Sequence, residues 1–266
     1  MSYKNLKVVE VDAVAEVTLN RPDVRNAFNP EMIEEITKVF KSFAKGKDLR
    51  AVVLKGEGKV FCAGADLNWM KEMVKYSLAK NKKDSEKLFA MFEAIFQCPL
   101  PVIGLIQGAA FGGAVGLAAC CDIVVAEEAA QFCFSEVKLG LVPAVISHFV
   151  LRKIPLGLAT PWMLVGRSFT AKEAQMLGLA HIVVPVAQFE PMKKVLLNQL
   201  GEAGPEAVRE TKKLIQKVPG LSGAKAKAET TKVIAARRVS AEGQEGLKSF
   251  LEKRPPLWKT QWKVQS

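Results

Sequence analysis

Two turns built from small residues hold the chemistry this sequence offers. The longer is Gln107 to Asp122, QGAAFGGAVGLAACCD. An apolar run, Pro101 to Ile106, leads in as a buried strand, and Ala114 to Cys121 reads as the first turns of a packed helix. Gly112 and Gly113 stand where strand becomes helix, with unpaired amides facing outward and the helix dipole adding partial positive charge. Glycine also lets another molecule approach the main chain closely. Such a turn holds negative charge, either a phosphate or an oxyanion formed during reaction. A Gly-rich helix packed tightly on a sheet has the same composition, and this stretch alone leaves both readings open. The spacing argues against two familiar phosphate sites. Glycines at 108, 112, 113 and 116 do not form G-x-G-x-x-G, no acidic residue ends a strand about 20 residues on, and no Gly-Lys-Ser/Thr follows.

The second turn, Cys62-Ala-Gly-Ala-Asp66, has the same design: a strand end, then small residues, then Asp66 at a plausible helix cap. If the two turns face each other, each directs one backbone N–H at one shared oxygen.

The elements that must position these turns alternate strand and helix. Strands are expected at Ala13 to Asn20, Arg50 to Lys55, Asp122 to Ala126 and His181 to Pro185. Asn29-Pro30-Glu31 starts a helix, with Asn as cap and Pro at the first helical position, and apolar residues at 32, 33, 36, 39, 40 and 43 mark its buried face. Residues 77–97 and 149–164 are helical in pattern, and Thr170 with Glu173 forms a capping box. A short strand at Gln131 to Ser135 and a loop at Gly140 to Pro143 surround Glu136. Residues 189–251 are mainly Lys-rich helix formers, broken near Pro205 and Pro219-Gly220 and stopped at Pro255-Pro256. This pattern predicts an α/β core over 1–190 and a helical C-terminal subdomain over 191–266.

At 266 residues, 49% hydrophobic and 24% charged, the composition is that of a soluble globular protein. The N-terminus lacks a signal-peptide h-region, and no apolar run nears the roughly 18 residues of a membrane span, so a cytoplasmic protein is expected. The cysteines at 62, 98, 120, 121 and 133 show no C-x-x-C spacing and read as free thiols. Two histidines without ligand spacing give no reason to expect a metal. Net charge is +11, and residues 190–266 carry 16 Lys and Arg against 8 acids. A field of that sign can attract a polyanion or a phosphorylated cofactor, or can be a solvated lysine-rich surface.

Taken in order, NRPDVRNAFN at 20–29, FCAGADL at 61–67, QGAAFGGAVGLAACCDIVVA at 107–126 and FSEVKLGLVP at 134–143 resemble the crotonase, or enoyl-CoA hydratase/isomerase, superfamily over nearly the whole chain. The resemblance implies a spiral of repeated ββα units with a helical trimerisation part over 191–266, assembled as a homotrimer or a homohexamer made of two trimers. GADLNWMK at 64–71 and AQFCFSEVKLGLVPAVIS at 130–147 look most like bacterial 3-methylglutaconyl-CoA hydratases of leucine degradation. They also resemble dehydratases acting on 3-hydroxy-3-methylglutaryl groups bound to acyl-carrier protein.

By family position the amides of Ala65 and Gly113 hold a thioester oxygen as an enolate forms, and Glu136 is the catalytic glutamate. Relatives with two catalytic glutamates carry the second where this chain has Gly116, so Glu136 does both jobs or another group helps. Single-glutamate members often isomerise or decarboxylate instead. Val145, Ile146 and Ser147 replace small glycines common in the family, and His148 beside them is a candidate helper that also reads as a packed core residue. Coenzyme A enters as part of the acyl-CoA substrate, with no permanently bound cofactor. Family position places Arg25 and Ala27 near its adenine, Ala63, Asp66 and Leu67 along its pantetheine, and Lys253 or Arg254 near its phosphates. The implied activity is hydration of a branched enoyl-CoA, with isomerisation or decarboxylation as alternatives. Lys71 to Lys87 holds six lysines against three acids, but no stacking platform or RNA motif accompanies them, and nucleic acid is not expected as the main partner.

Overall fold

The computed structural model describes residues 3–262, except Lys45 and Lys47. Its first half runs β1 (Leu6–Val11), β2 (Val14–Leu19), α1 (Pro30–Phe43), β3 (Ala51–Gly56), α2 (Leu67–Met73), α3 (Leu78–Phe96), β4 (Val102–Ile106), β5 (Ala109–Phe111) and α4 (Gly113–Cys120). There follow β6 (Ile123–Glu127), β7 (Gln131–Cys133), α5 (Ala144–Lys153), α6 (Leu156–Val165), β8 (Ser168–Thr170), α7 (Ala171–Met176) and β9 (Ile182–Val184). The C-terminal part is α8 (Phe189–Glu202), α9 (Pro205–Lys217), α10 (Gly223–Val239), α11 (Ala241–Leu251) and α12 (Leu257–Gln261).

Two sheets order the chain into a spiral. The larger has the order β1-β2-β3-β4-β6-β9, parallel except for the β1–β2 hairpin, and the smaller is β5-β7-β8. After β4 the chain enters the small sheet as β5 and then α4; after β6 it enters as β7 and then reaches α5. After β3 it does the same in shortened form, because Cys62 bridges Ala110 and Ala65 bridges Phe28 without making a full strand. Each turn of the spiral therefore ends at the small sheet just before a helix, and this stacks the Cys62–Asp66 and Phe111–Gly113 turns side by side.

Period-two alternation divides the large sheet between two cores. Val52, Leu54, Val102, Ile106, Val124 and Ala126 face the main core with α1, α3, α4 and α5. Val53, Ile103, Leu105 and Val125 face a smaller one closed by Leu196 and Leu197 of α8. Helix α1 buries the apolar stripe read from the sequence, and Asn29 Oδ1 accepts the Met32 amide at 2.8 Å. Every residue of α4 after Gly113 is buried, as its uniformly apolar sequence requires.

Several elements differ from the sequence reading, among them the short strands β5 and β8, which it does not expect. β1 is an additional strand: only Leu6 of it is buried, so its apolar signal is thin, and the Asp12-Ala13 turn holds it to β2 as a sheet edge. The helical stretch expected at 149–164 is two helices, α5 and α6, because Pro155 cannot continue the first. Glu136 lies not at a strand end but inside a 3-10 turn, Ser135–Leu139. The basic tail is extensively paired: Lys193 with Glu16, Lys212 with Asp122, Lys217 with Glu229, Arg237 with Glu206 and Glu242, and Lys259 with Glu202. Among the described residues no helix is long and apolar enough to cross a membrane.

Candidate active site

The site begins with Phe28, which touches both turns. Its amide donates to the Gly64 carbonyl at 2.7 Å, and its carbonyl accepts the Asp66 amide at 2.7 Å. In this parallel pairing the residue between the two partners points its own N–H the other way, so the Ala65 amide faces outward. The Phe28 ring lies on the second turn, 2.9 Å from where a Cβ on Gly113 would sit. The turns are also stitched directly, Cys62 N–H to the Ala109 carbonyl at 3.1 Å and Phe111 N–H to the Cys62 carbonyl at 3.2 Å. Gly64, at φ +95°, would place a Cβ 2.8 Å from the Phe111 carbonyl, so only glycine lets the strands close this far. Gly113 opens α4, where its amide has no helical acceptor. Among the described residues no hydrogen bond uses the amide of Ala65 or of Gly113.

Glu136 comes to the same place from β7. Its Oε1 and the Ser135 hydroxyl lie 3.4 and 3.3 Å from the Cβ position that Gly112 leaves empty. Its Oε2 is buried without a hydrogen-bond partner among the described residues. Phe132 and Phe134, on the strand and turn before it, are fully buried. Burial pushes the Glu136 carboxyl above its ordinary value, opposed by a hydrogen bond from its own amide. A carboxyl tuned this way beside two open amides can move a proton at the carbon next to a carbonyl while the amides stabilise the resulting enolate.

Gly112 is the hinge of this arrangement, at φ +54° with its amide on the Cys133 carbonyl at 2.8 Å. Gly112→Ala would put a methyl against Ser135 and Glu136 in a left-handed conformation. We expect turnover to fall by about 10²-fold, as for other displacements of about 1 Å, with a fold intact by circular dichroism.

Gly116 leaves no room for a second acid. A Cβ there would meet Ile146 Cγ2 at 2.5 Å and the Phe92 ring at 2.9 and 3.0 Å. The space is filled by a residue of α5 and one of α3.

Arg25, Ala27, Ala63, Asp66 and Leu67 all belong to the loops bordering the Ala65 turn. The Arg25 carbonyl accepts the Ala63 amide at 3.0 Å, Ala27 is buried, and Leu67 is exposed. The Asp66 carboxylate turns inward: Oδ1 caps α2 through the Asn68 amide and Oδ2 accepts Arg21 at 2.8 Å. Lys253 and Arg254 follow α11. Arg254 is held by both oxygens of Glu245 and by Glu252, whereas Lys253, at φ +52°, has no carboxylate partner among the described residues. His148 is exposed on α5, its ring centroid 5.7 Å from Phe89 and 5.0 Å from Phe149. His181 is structural, accepting the Val124 amide on Nδ1 at 2.8 Å, and burial lowers its pKa.

Sequence reasoning missed Phe28, Phe92 and the Arg21–Asp66 pair. Asn26 held the best clue to the loop's rigidity. It is a fully buried amide at φ +54° that accepts the Arg21 N–H and donates to the Glu57 and Val60 carbonyls.

Comparison with known proteins places this chain among relatives. The enoyl-CoA hydratase/isomerase family model matches residues 10–261. A crystal structure of an enoyl-CoA hydratase from Shewanella pealeana superposes with a TM-score of 0.92 at 38% identity, covering 96% of each chain. An enoyl-CoA hydratase/isomerase from Marinobacter aquaeolei superposes with a TM-score of 0.90 at 31% identity, covering 96% of this chain and 99% of that one. The enoyl-CoA hydratase AFT6-1 of Alternaria alternata is 35% identical over 223 residues, 82% of this chain and 71% of that protein. The spiral is thus the crotonase fold, and the chain belongs to the enoyl-CoA hydratase/isomerase family.

Proposed function

We propose that this enzyme reversibly adds water across the 2,3 double bond of a branched enoyl-CoA, with 3-methylglutaconyl-CoA as its preferred substrate. The thioester oxygen sits between the Ala65 and Gly113 amides. In the dehydrating direction Glu136 takes the proton from C2, negative charge collects on that oxygen, and the enolate then expels the 3-hydroxyl. Glu136 returns its proton to the leaving oxygen, which departs as water. In the hydrating direction it takes a proton from water as the oxygen bonds to C3, and delivers it to C2. One carboxylate can serve both steps when both transfers occur on one face.

The observation that carries this reading is the half-buried Glu136 carboxyl, with Oε2 buried and unpartnered among the described residues, beside two turns whose amides are free. The choice of acyl group rests on the GADLNWMK and AQFCFSEVKLGLVPAVIS likeness. Coenzyme A would lie along the loops of Arg25, Ala27, Ala63, Asp66 and Leu67, with Lys253 better placed than the occupied Arg254 to meet a phosphate across a subunit boundary. Exposed Leu156, Leu164, Val165, Val239 and Phe250 suit burial in a homotrimer or in a dimer of trimers.

The Phe92–Ile146 plug at Gly116 favours a second reading, isomerisation or decarboxylation of a similar thioester, since neither reaction requires a second acid. A panel of crotonyl-, 3-methylcrotonyl- and 3-methylglutaconyl-CoA, followed by loss of conjugated-thioester absorbance and by product mass, tests both. Hydration adds the mass of one water, isomerisation leaves mass unchanged, and decarboxylation removes carbon dioxide. Fastest turnover on 3-methylglutaconyl-CoA with a mass gain of water supports the proposal; unchanged mass or carbon dioxide loss replaces it with the second reading.

A further inference from the structure

Arg21 begins the loop that ends at Phe28, and its guanidinium reaches across to the other turn. Nη1 donates to the Ala27 carbonyl at 2.5 Å, and Nη2 donates to Asp66 Oδ2 at 2.8 Å. One residue therefore ties the position before Phe28 to the position after Ala65. The pair is largely sheltered, with side-chain exposures of 19% for Arg21 and 7% for Asp66. Asp66 Oδ1 meanwhile fixes the first turn of α2 through the Asn68 amide at 2.8 Å. The peptide carrying the Ala65 N–H is enclosed: Gly64 and Asp66 are bonded to Phe28, and Asp66 and Ala27 are bonded to Arg21. A fork with two donors aimed at different acceptors fixes orientation as well as distance.

We infer that the Arg21–Asp66 pair is a positioning device for the oxyanion-binding amide of Ala65, so that Arg21 controls transition-state stabilisation without touching substrate. The inference rests on the proposed role of that amide. An amide donor is effective only within about 2.7–3.1 Å of the developing oxyanion, and a displacement near 1 Å can lower turnover about 10²-fold. Substrate affinity, spread along the whole CoA moiety, should hardly respond.

The test uses Arg21→Gln, Arg21→Lys and Asp66→Asn in the full-length enzyme. Asn is a good helix cap, so Asp66→Asn keeps the start of α2 while removing the ion pair. Steady-state kinetics are read beside the infrared carbonyl stretch of bound isovaleryl-CoA labelled with 13C at the carbonyl, a saturated thioester that does not react. Wild type should lower that stretch on binding, since two hydrogen bonds polarise the carbonyl. Arg21→Gln and Asp66→Asn should each lose at least half the downshift and about 10²-fold in kcat, with KM within threefold. Arg21→Lys, retaining a cation but not the fork, should fall between. A full downshift in Asp66→Asn, or a kcat loss matched by KM, overturns the inference even if Arg21→Gln does not fold. Absence of a downshift in wild type would overturn the amide pair itself and this inference with it. A wild-type downshift with no hydration in the thioester panel would sink the proposed reaction alone.

Discussion

Glu136→Gln will lower kcat by about 10²–10⁴-fold, the usual contribution of one general acid–base group, while KM stays within threefold. Gln keeps the shape beside Gly112 and Ser135 but cannot exchange a proton. Because burial holds the Glu136 pKa above its ordinary value in the free enzyme, the acidic limb of wild-type kcat/KM should be displaced upward in the same direction. The same shift predicts a change in stability. A folded-state pKa raised over the unfolded one gives stability that is present below the unfolded pKa and lost as pH rises through the folded value. Ionised Glu136 is therefore a liability that the neutral amide removes. The melting temperature of Glu136→Gln should exceed wild type at neutral pH, and the gap should close in acid. Turnover retained by Glu136→Gln would refute the catalytic assignment; a melting gap unchanged with pH would refute the desolvated carboxyl.

Much of the site was legible because backbone chemistry leaves a compositional trace. A backbone amide donor has no side chain of its own to mark it, so the need for two of them appears as Gly64, Gly112 and Gly113 amid alanines, and both turns stand out in the sequence. That the turns touch did not follow, because the contact runs through Phe28, whose backbone serves one turn and whose ring serves the other. No local pattern records such a double use. Arg21 stands one residue past the strand expected at Ala13 to Asn20, and its fork became visible only once Ala27 and Asp66, 39 residues apart in sequence, lay together. β1 escaped for the opposite reason: an edge strand with one buried residue has little pattern to read. Pro155 was a plain signal, and the two helices it separates share enough apolar character to read as one.

The second large effect concerns Gly116, where two departures from the pattern that the resemblance implied become one. Glycine in place of an acid and isoleucine in place of a small residue at 146 look independent in sequence. In the structure Ile146 Cγ2 and the Phe92 ring occupy the ground a side chain at 116 would need. Gly116→Glu alone should therefore overpack a fully buried helix and bring a carboxylate into apolar surroundings. Overpacking costs about 1–3 kcal/mol and the unpaired charge adds to it, so a drop in melting temperature of several degrees is expected. Ile146→Gly alone should open a cavity and cost a comparable amount or more. Together they should compensate, melting closer to wild type than either single variant, because the glutamate stem refills the volume isoleucine vacates. A second carboxylate one helical turn beyond Gly112 would then be available for proton transfer, and hydration of unbranched crotonyl-CoA should rise at least tenfold over wild type, within the 10²–10⁴-fold reach of an added general acid–base group. If the double variant melts at the sum of the two losses, Ile146 is not filling the place of the missing acid. If it melts near wild type but gains no crotonyl-CoA turnover, the plug is a packing feature and the single-carboxylate reaction is not set by it.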